Sequence, residues 1–189
     1  MTAAAFAERF VDQLFDLFAQ RGARRYGEGV SQLDHALQTA RHARLDGAAP
    51  ALVTAALLHD IGHLLQRLGE GAADRGLDDR HERIGARYLA GAFGAAVTEP
   101  VLWHVEAKRY LAAFEPGYLQ RLSPASVQSL ALQGGPMTAG EAETFLQRPA
   151  AADALRLRRY DEMGKVVGVE IDSLDAYRPI LLSQVVDGA

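Results

Sequence analysis

No cysteine occurs among the 189 residues, which removes disulfides, thiolate-held metals, iron–sulfur clusters and thiol nucleophiles in one observation. Any metal must then be held by His, Asp or Glu. Long apolar runs are missing too. No stretch approaches the roughly 18 apolar residues of a membrane span, and Glu8 and Arg9 fall where a signal peptide needs an unbroken apolar core. A cytoplasmic protein is the expectation. Nor is there an excess of positive charge: 20 Lys and Arg stand against 24 Asp and Glu, a net charge of -4. Bulk electrostatics therefore gives no reason to expect nucleic acid or an anionic membrane as partner. No internal repeat, low-complexity tract or linker-like Pro/Gly/Ser stretch separates domains. With 49% apolar residues and about 100–200 residues to a domain, one domain over residues 1–189 is predicted, its oligomeric state open.

Apolar residues recur at helical spacing almost throughout. Phe6, Phe10, Leu14, Leu17 and Phe18 mark a first helix, and Leu33, Ala36, Leu37 and Ala40 a second that Ser31 would cap. Pro50 opens a third through Leu52, Ala56, Leu57, Ile61 and Leu65. Glycines and charges make 69–76 a loop. Helices are then predicted over 80–89, over 98–108 with Thr98 as cap and Pro100 in the first turn, and over 126–132, 138–147 and 150–165. The extended-looking run 166–171 has no partner in sequence, so the expected fold is all-α. The tight connection 133–136, with Gly134 and Gly135, is where backbone amides would most readily approach a bound group.

Six histidines are present, and five fall in a pattern that an ordinary core rarely produces. Its centre is Leu57-Leu58-His59-Asp60-Ile61-Gly62-His63. An adjacent His and Asp inside an apolar helix are costly to bury unless something pairs with them, and a metal ion is the usual compensation. His35 on the second helix, His81 opening the fourth, His104 on the fifth and Asp161 on the last can converge with that pair in a helical bundle. Four His and two Asp are enough for two metals, and nitrogen and oxygen donors without sulfur suit iron or manganese, with Asp60 the natural bridge. His63 lies one turn after His59 and Lys108 one turn after His104, so both would face the same cavity. A cation beside a metal centre calls for an anion between them, which makes this pair an oxyanion or phosphoryl contact. The sixth histidine, His42, has a polar surround and reads as exposed and functionless.

The order His35, His59-Asp60, His81, His104, Asp161 resembles the HD-domain superfamily, most members of which are phosphohydrolases, and the two extra histidines resemble its binuclear members. Further features are similar to a smaller branch, the mixed-valent di-iron HD oxygenases that cleave the carbon–phosphorus bond of 1-hydroxyalkylphosphonates. They are Gly27-Glu28, the run from Gln32 to Gln38, His63, Lys108, the segment from Ser126 to Met137, and Leu157-Arg158-Arg159-Tyr160-Asp161, together spanning about residues 26–165. The resemblance implies a single HD-type helical bundle with a binuclear site in its core. It implies that His35, His59, Asp60, His81, His104 and Asp161 bind two irons, Fe(II)/Fe(III), with O2 as co-substrate. It also implies that His63, Lys108, Ser126 and Arg158 hold the phosphonate, that Gly134 and Gly135 shape its pocket, and that His59, Asp60, His63 and Lys108 are catalytic. A tyrosine and a glutamate near the first His close the site in that branch. Glu28 answers to the glutamate, whereas Tyr26 stands one position nearer the glycine than the branch's tyrosine, and Arg25 occupies that place.

The ligand set alone leaves two reactions open. One is O2-dependent oxidation of a 1-hydroxyalkylphosphonate, with or without a 2-amino or 2-trimethylammonio group, to phosphate and a carboxylic acid. The other is phosphate-ester hydrolysis by a binuclear HD phosphohydrolase, in which the same metals activate water. The substrate-contacting residues favour the first. A silent HD-like domain that senses a small anion is a third reading, and the complete ligand set argues against it.

Overall fold

A computed structural model of the chain describes residues 2–26, 29–66 and 75–186. Among these residues the regular structure is helical, with two isolated β-bridges, Arg25 to Ser31 and Phe93 to Val185, and no strand. The expected all-α class is the observed one. The elements are α1 (Ala3–Arg21), α2 (Gln32–Leu45), α3 (Pro50–Leu58), α4 (Ile61–Leu65), α5 (His81–Leu89), α6 (Ala95–Phe114), α7 (Tyr118–Arg121), α8 (Pro124–Leu132), α9 (Ala139–Leu146), α10 (Ala151–Met163), a 3-10 turn (Leu174–Tyr177) and α11 (Arg178–Gln184). No helix is long and apolar enough to cross a membrane, among the described residues.

Local chemistry sets the boundaries. Ser31 caps α2, its hydroxyl accepting from the Asp34 amide at 3.0 Å. Ser123 does the same for α8, ahead of Pro124, and Thr138 with Glu141 forms a capping box at α9, each satisfying amides that have no partner within the helix. The core is built around α3, where every residue from Leu52 to Leu58 is buried. Such a helix has no solvent face, so α2, α6, α10 and α11 all pack on it. Buried alanines such as Ala36, Ala40, Ala43, Ala55 and Ala56 let these helices approach closely. Two smaller clusters, around Phe145 and around Tyr118, seat α7 to α9 against α6 and α10.

The structure corrects several boundaries. The third helix does not run unbroken to Leu65: it stops at Leu58, and Asp60 turns the chain at φ -100°, ψ 11° before α4 begins. Burial all round hides this break, because apolar residues continue on both sides of it. The fifth helix starts at Ala95, not at Thr98. Gly94 is its cap, Thr98 lies one turn inside with its hydroxyl on the Gly94 carbonyl, and Pro100 sits within the helix. The short α7 and the terminal α11 were not anticipated. Most of the expected loop 69–76 lies outside the described residues.

Two glycines hold helices at distances that a side chain would forbid. A Cβ on Gly62 would stand 2.0 Å from the His81 carbonyl oxygen, so the start of α5 rests on the backbone of α4. A Cβ on Gly164 would meet the Thr39 hydroxyl at 2.5 Å, so the end of α10 lies against α2.

Candidate metal centre

His35 comes from the first turns of α2, His59 and Asp60 from the break between α3 and α4, His81 from the first residue of α5, His104 from the middle of α6 and Asp161 from the last turns of α10. All six are buried. The structure brings them into one cluster with a definite internal order. His35 Nε2 stands 3.1 Å from His59 Nε2, and His81 Nε2 stands 3.1 Å from His104 Nε2. Between the two pairs lies Asp60. Its Oδ2 is 3.3 Å from His59 and 3.6 Å from His35, while its Oδ1 is 3.2 Å from His81 and 3.6 Å from His104. Asp161 completes the first pair, with Oδ1 3.4 Å from His35 Nε2.

The other ring nitrogen decides what these close approaches mean. His35 Nδ1 is 2.8 Å from the Gly164 carbonyl, His59 Nδ1 2.9 Å from that of Ala56, and His104 Nδ1 2.7 Å from that of Val101. His81 Nδ1 is 2.9 Å from Asp79 Oδ1. Carbonyls and carboxylates only accept, so each Nδ1 carries a hydrogen, and Nε2 is the nitrogen that a neutral ring turns into the cluster as a bare lone pair. Two bare nitrogens 3.1 Å apart repel unless a cation lies between them. Burial favours the neutral ring in His35, lowered to about 4, and in His104, also well below the ordinary histidine value. On His81 burial opposes charge as well, but Asp60 and Asp79 overcome it and lift the ring to about 10. Histidine nitrogens aimed at one another around a shared carboxylate could hold metal ions: His35, His59 and Asp161 offer one close set and Asp60, His63 and His81 another, which His104 joins through His81 and Asp60 Oδ1.

The cluster that emerges carries the sequence signature of a known family. A model of the HD domain matches residues 33–176. The chain belongs to the HD-domain family. Among its relatives are hydroxymethylphosphonate dioxygenase of Gimesia maris, 45% identical over 88% of this chain and 84% of the relative, and [1-hydroxy-2-(trimethylamino)ethyl]phosphonate dioxygenase (glycine-betaine-forming) of Leisingera caerulea, 39% identical over 90% of this chain and 88% of the relative.

Beside the histidine–aspartate cluster this HD domain gathers positive charge. Lys108 is buried and donates from Nζ to Ser129 Oγ at 2.9 Å. Burial, and then the neighbouring Arg158, push its amine down to about 7. Arg158, also buried, donates to the Tyr118 hydroxyl at 3.0 Å and pairs with Asp161 and Glu162. Ser126 accepts from Lys165 Nζ at 3.0 Å, and Lys165 also reaches Glu162 at 3.3 Å and Asp161 at 3.6 Å. Burial opposes charge on Asp161, yet Arg158 and Lys165 hold its carboxyl far below the usual range. Tyr26 stacks on His35 with ring centroids 3.8 Å apart and donates to Asp161 Oδ1 at 3.4 Å. The displaced spacing therefore still delivers a tyrosine to the cluster.

Not every site expectation is met as stated. His63 is not on one continuous helix with His59, because the chain turns between them, yet both reach the Asp60 carboxylate. His63 stacks on His81, centroids 4.0 Å apart, with Nε2 3.9 Å from Asp60 Oδ1. The amides of Gly134 and Gly135 are not free to approach a ligand: they donate to Ala131 and Leu130 and close the end of α8, while Arg109 donates to the Gly135 carbonyl. Glu28 and Gly27 lie outside the described residues. His42 is half-buried, in an open surface depression of about 420 Å³ lined by Asp46, Arg156 and Tyr160 among others. Sequence reasoning missed Lys165, Asp79, Tyr118 and Ser129. Lys165 follows Asp161 by four residues and Asp79 precedes His81 by two, spacings that are informative only once the ligands are placed.

Proposed function

We propose that this HD domain is an O2-dependent oxygenase that cleaves the carbon–phosphorus bond of a short 1-hydroxyalkylphosphonate, giving phosphate and a carboxylic acid. The substrate is unsubstituted or carries a 2-amino or 2-trimethylammonio group. One observation supports this reading above the others. Lys108, Arg158 and Lys165 converge beside the carboxylate-bridged histidines, in a chain whose relatives are phosphonate dioxygenases. A compact dianion beside a metal cluster is the ligand that such a pocket accommodates.

In this reading His35, His59, Asp60 and Asp161 hold one iron, and Asp60, His81 and His104 the other, as an Fe(II)/Fe(III) pair. Such a pair supplies a Lewis-acidic position for the substrate hydroxyl and the electrons that O2 chemistry requires. Lys108, Arg158, His63 and Ser126 bind the phosphonate oxygens and fix the carbinol carbon. Arg158 turns from its carboxylate partners toward the incoming dianion, and Lys165, through Ser126, holds that hydroxyl in place. Tyr26 covers the His35 side until substrate enters, and the carboxylate of Glu28 would favour a substrate that carries an ammonium group. Burial excludes water and strengthens each of these contacts. The balance is one O2 consumed per phosphonate, with the C–P bond broken and the carbinol carbon raised to the carboxylate level.

The test is phosphate release from 1-hydroxyalkylphosphonates by the iron-loaded protein, with and without O2. Release in step with O2 uptake, with 18O from O2 in the carboxylic acid, is expected. Full-rate release under strict anaerobiosis, or from phosphate monoesters only, would establish hydrolysis instead.

A further inference from the structure

Asp79, in the segment leading into α5, touches two histidines at once. Its Oδ2 is 2.6 Å from His63 Nδ1 and its Oδ1 is 2.9 Å from His81 Nδ1. The two rings lie almost parallel, 20° apart, and both turn Nε2 toward Asp60 Oδ1, at 3.2 Å for His81 and 3.9 Å for His63. The carboxylate is itself anchored. Oδ1 also accepts from the His81 amide at 3.3 Å, and the Asp79 carbonyl accepts from Gln66 Nε2 at 2.9 Å. The remaining clustered rings, His35, His59 and His104, rest their Nδ1 on backbone carbonyls, which no side-chain substitution removes.

We propose that Asp79 is a positioning residue that fixes the tautomer of His63 and His81 together, so that the metal-facing nitrogen of one and the substrate-facing nitrogen of the other depend on a single carboxylate. A carboxylate accepts at both oxygens, so both Nδ1 atoms carry hydrogen, which leaves Nε2 of each ring as the nitrogen that a metal ion or the substrate meets. Rotation of the Asp79 side chain would release both rings, which couples the second metal position to the anion pocket. The metal half of this inference stands on geometry alone, while the substrate half rests on the function proposed above.

The tautomer is read directly in the wild-type protein loaded with diamagnetic Zn2+. Histidine 15N shifts are expected to show hydrogen on Nδ1 and a bare Nε2 for His63, and an Nε2–H tautomer there overturns the proposal. Asp79→Asn is expected to weaken retention of one of two metal ions 10- to 100-fold against a competing chelator, as loss of a ligand's orienting partner typically does. Asp79→Glu, which keeps an acceptor, should retain more, and equal loss in both variants counts against positioning. With metal saturating, binding of inorganic phosphate should weaken in His63→Ala and in Asp79→Asn, and the double variant should bind it no more weakly than His63→Ala. Additive losses, or an unchanged metal and phosphate affinity in Asp79→Asn, overturn the coupling. A protein that releases no phosphate from any phosphonate, yet loses a metal in Asp79→Asn, would refute the proposed reaction and leave the metal half of the coupling standing.

Discussion

Each clustered imidazole keeps its Nδ1 hydrogen on a fixed acceptor, and Asp60 meets the freed nitrogens of both pairs with one oxygen apiece. Removing Asp60 therefore strips both halves at once, whereas removing His59 strips one. Asp60→Ala is expected to lose both metal ions and His59→Ala at least one, by elemental analysis, and two ions per chain in Asp60→Ala would refute the bridge. Lys108 acts differently. Substitution by Met should leave the metals in place and weaken phosphonate binding roughly 10- to 150-fold, the equivalent of about 1.5–3 kcal/mol for a charge-assisted contact. Its pH behaviour follows from an amine lowered to about 7. At pH 8 the free protein holds Lys108 mostly neutral and the phosphonate complex holds it charged, so binding takes up a proton. At pH 6 it is charged beforehand and no uptake follows. Calorimetry in two buffers of different ionisation heat measures this, and the uptake should vanish in Lys108→Met. The His59-Asp60 pair was legible because two polar groups inside an apolar run need a partner. Asp79 and Lys165 were not, since each is an ordinary charged residue until its neighbours in space are known.

At the scale of elements, the halves of the cluster are held together by backbone contact. The start of α5 rests on Gly62 and the end of α10 on the α2 backbone beside Gly164. Gly62→Ala drives a methyl against the His81 carbonyl, and since that oxygen belongs to the main chain the helix itself must move. A cost of about 1–3 kcal/mol is typical of such overpacking. Gly62→Ala should thus lower the thermal midpoint and loosen the metal between Asp60, His81 and His104. Gly164→Ala should act on the His35 and Asp161 side, because its carbonyl is the acceptor for His35. Metal content and affinity per chain distinguish the two, and identical losses from both would show that the halves do not separate. Helix boundaries were readable where a side chain caps the helix, as at Ser31 and Thr138. They were misread where burial hides the period, as between Leu58 and Ile61, or where a threonine with an attractive position lies inside the helix, as at Thr98. α7 has four residues, too few for a period to register.

Across the whole molecule, the cluster draws on five separate segments of the chain, from α2 to α10. Metal ions bound there would add to the apolar packing and the polar contacts, such as His35 to Gly164, that already join these helices, and would bind the folded chain far better than the unfolded one. The thermal midpoint should therefore rise with metal concentration, with about 2.7 kcal/mol gained at 100-fold excess over the dissociation constant. A chelator should reverse this, and a midpoint indifferent to metal would place the ions outside the fold's support. The all-α class was legible from periodicity, but the order in which the helices surround α3 was not, because many arrangements satisfy the same apolar faces.

His35 closes its hydrogen bond on Gly164, 129 residues further along the chain. During synthesis at about 5–20 residues per second, the acceptor leaves the ribosome roughly 6–26 s after its partner. Within that interval α2, then α3 and then α6 emerge and present to water the apolar faces that α10 will cover. The late-docking helix α10 is thus also the one that brings Asp161, and nascent chains arrested before α10 should be captured by chaperones while full-length chains are released from them.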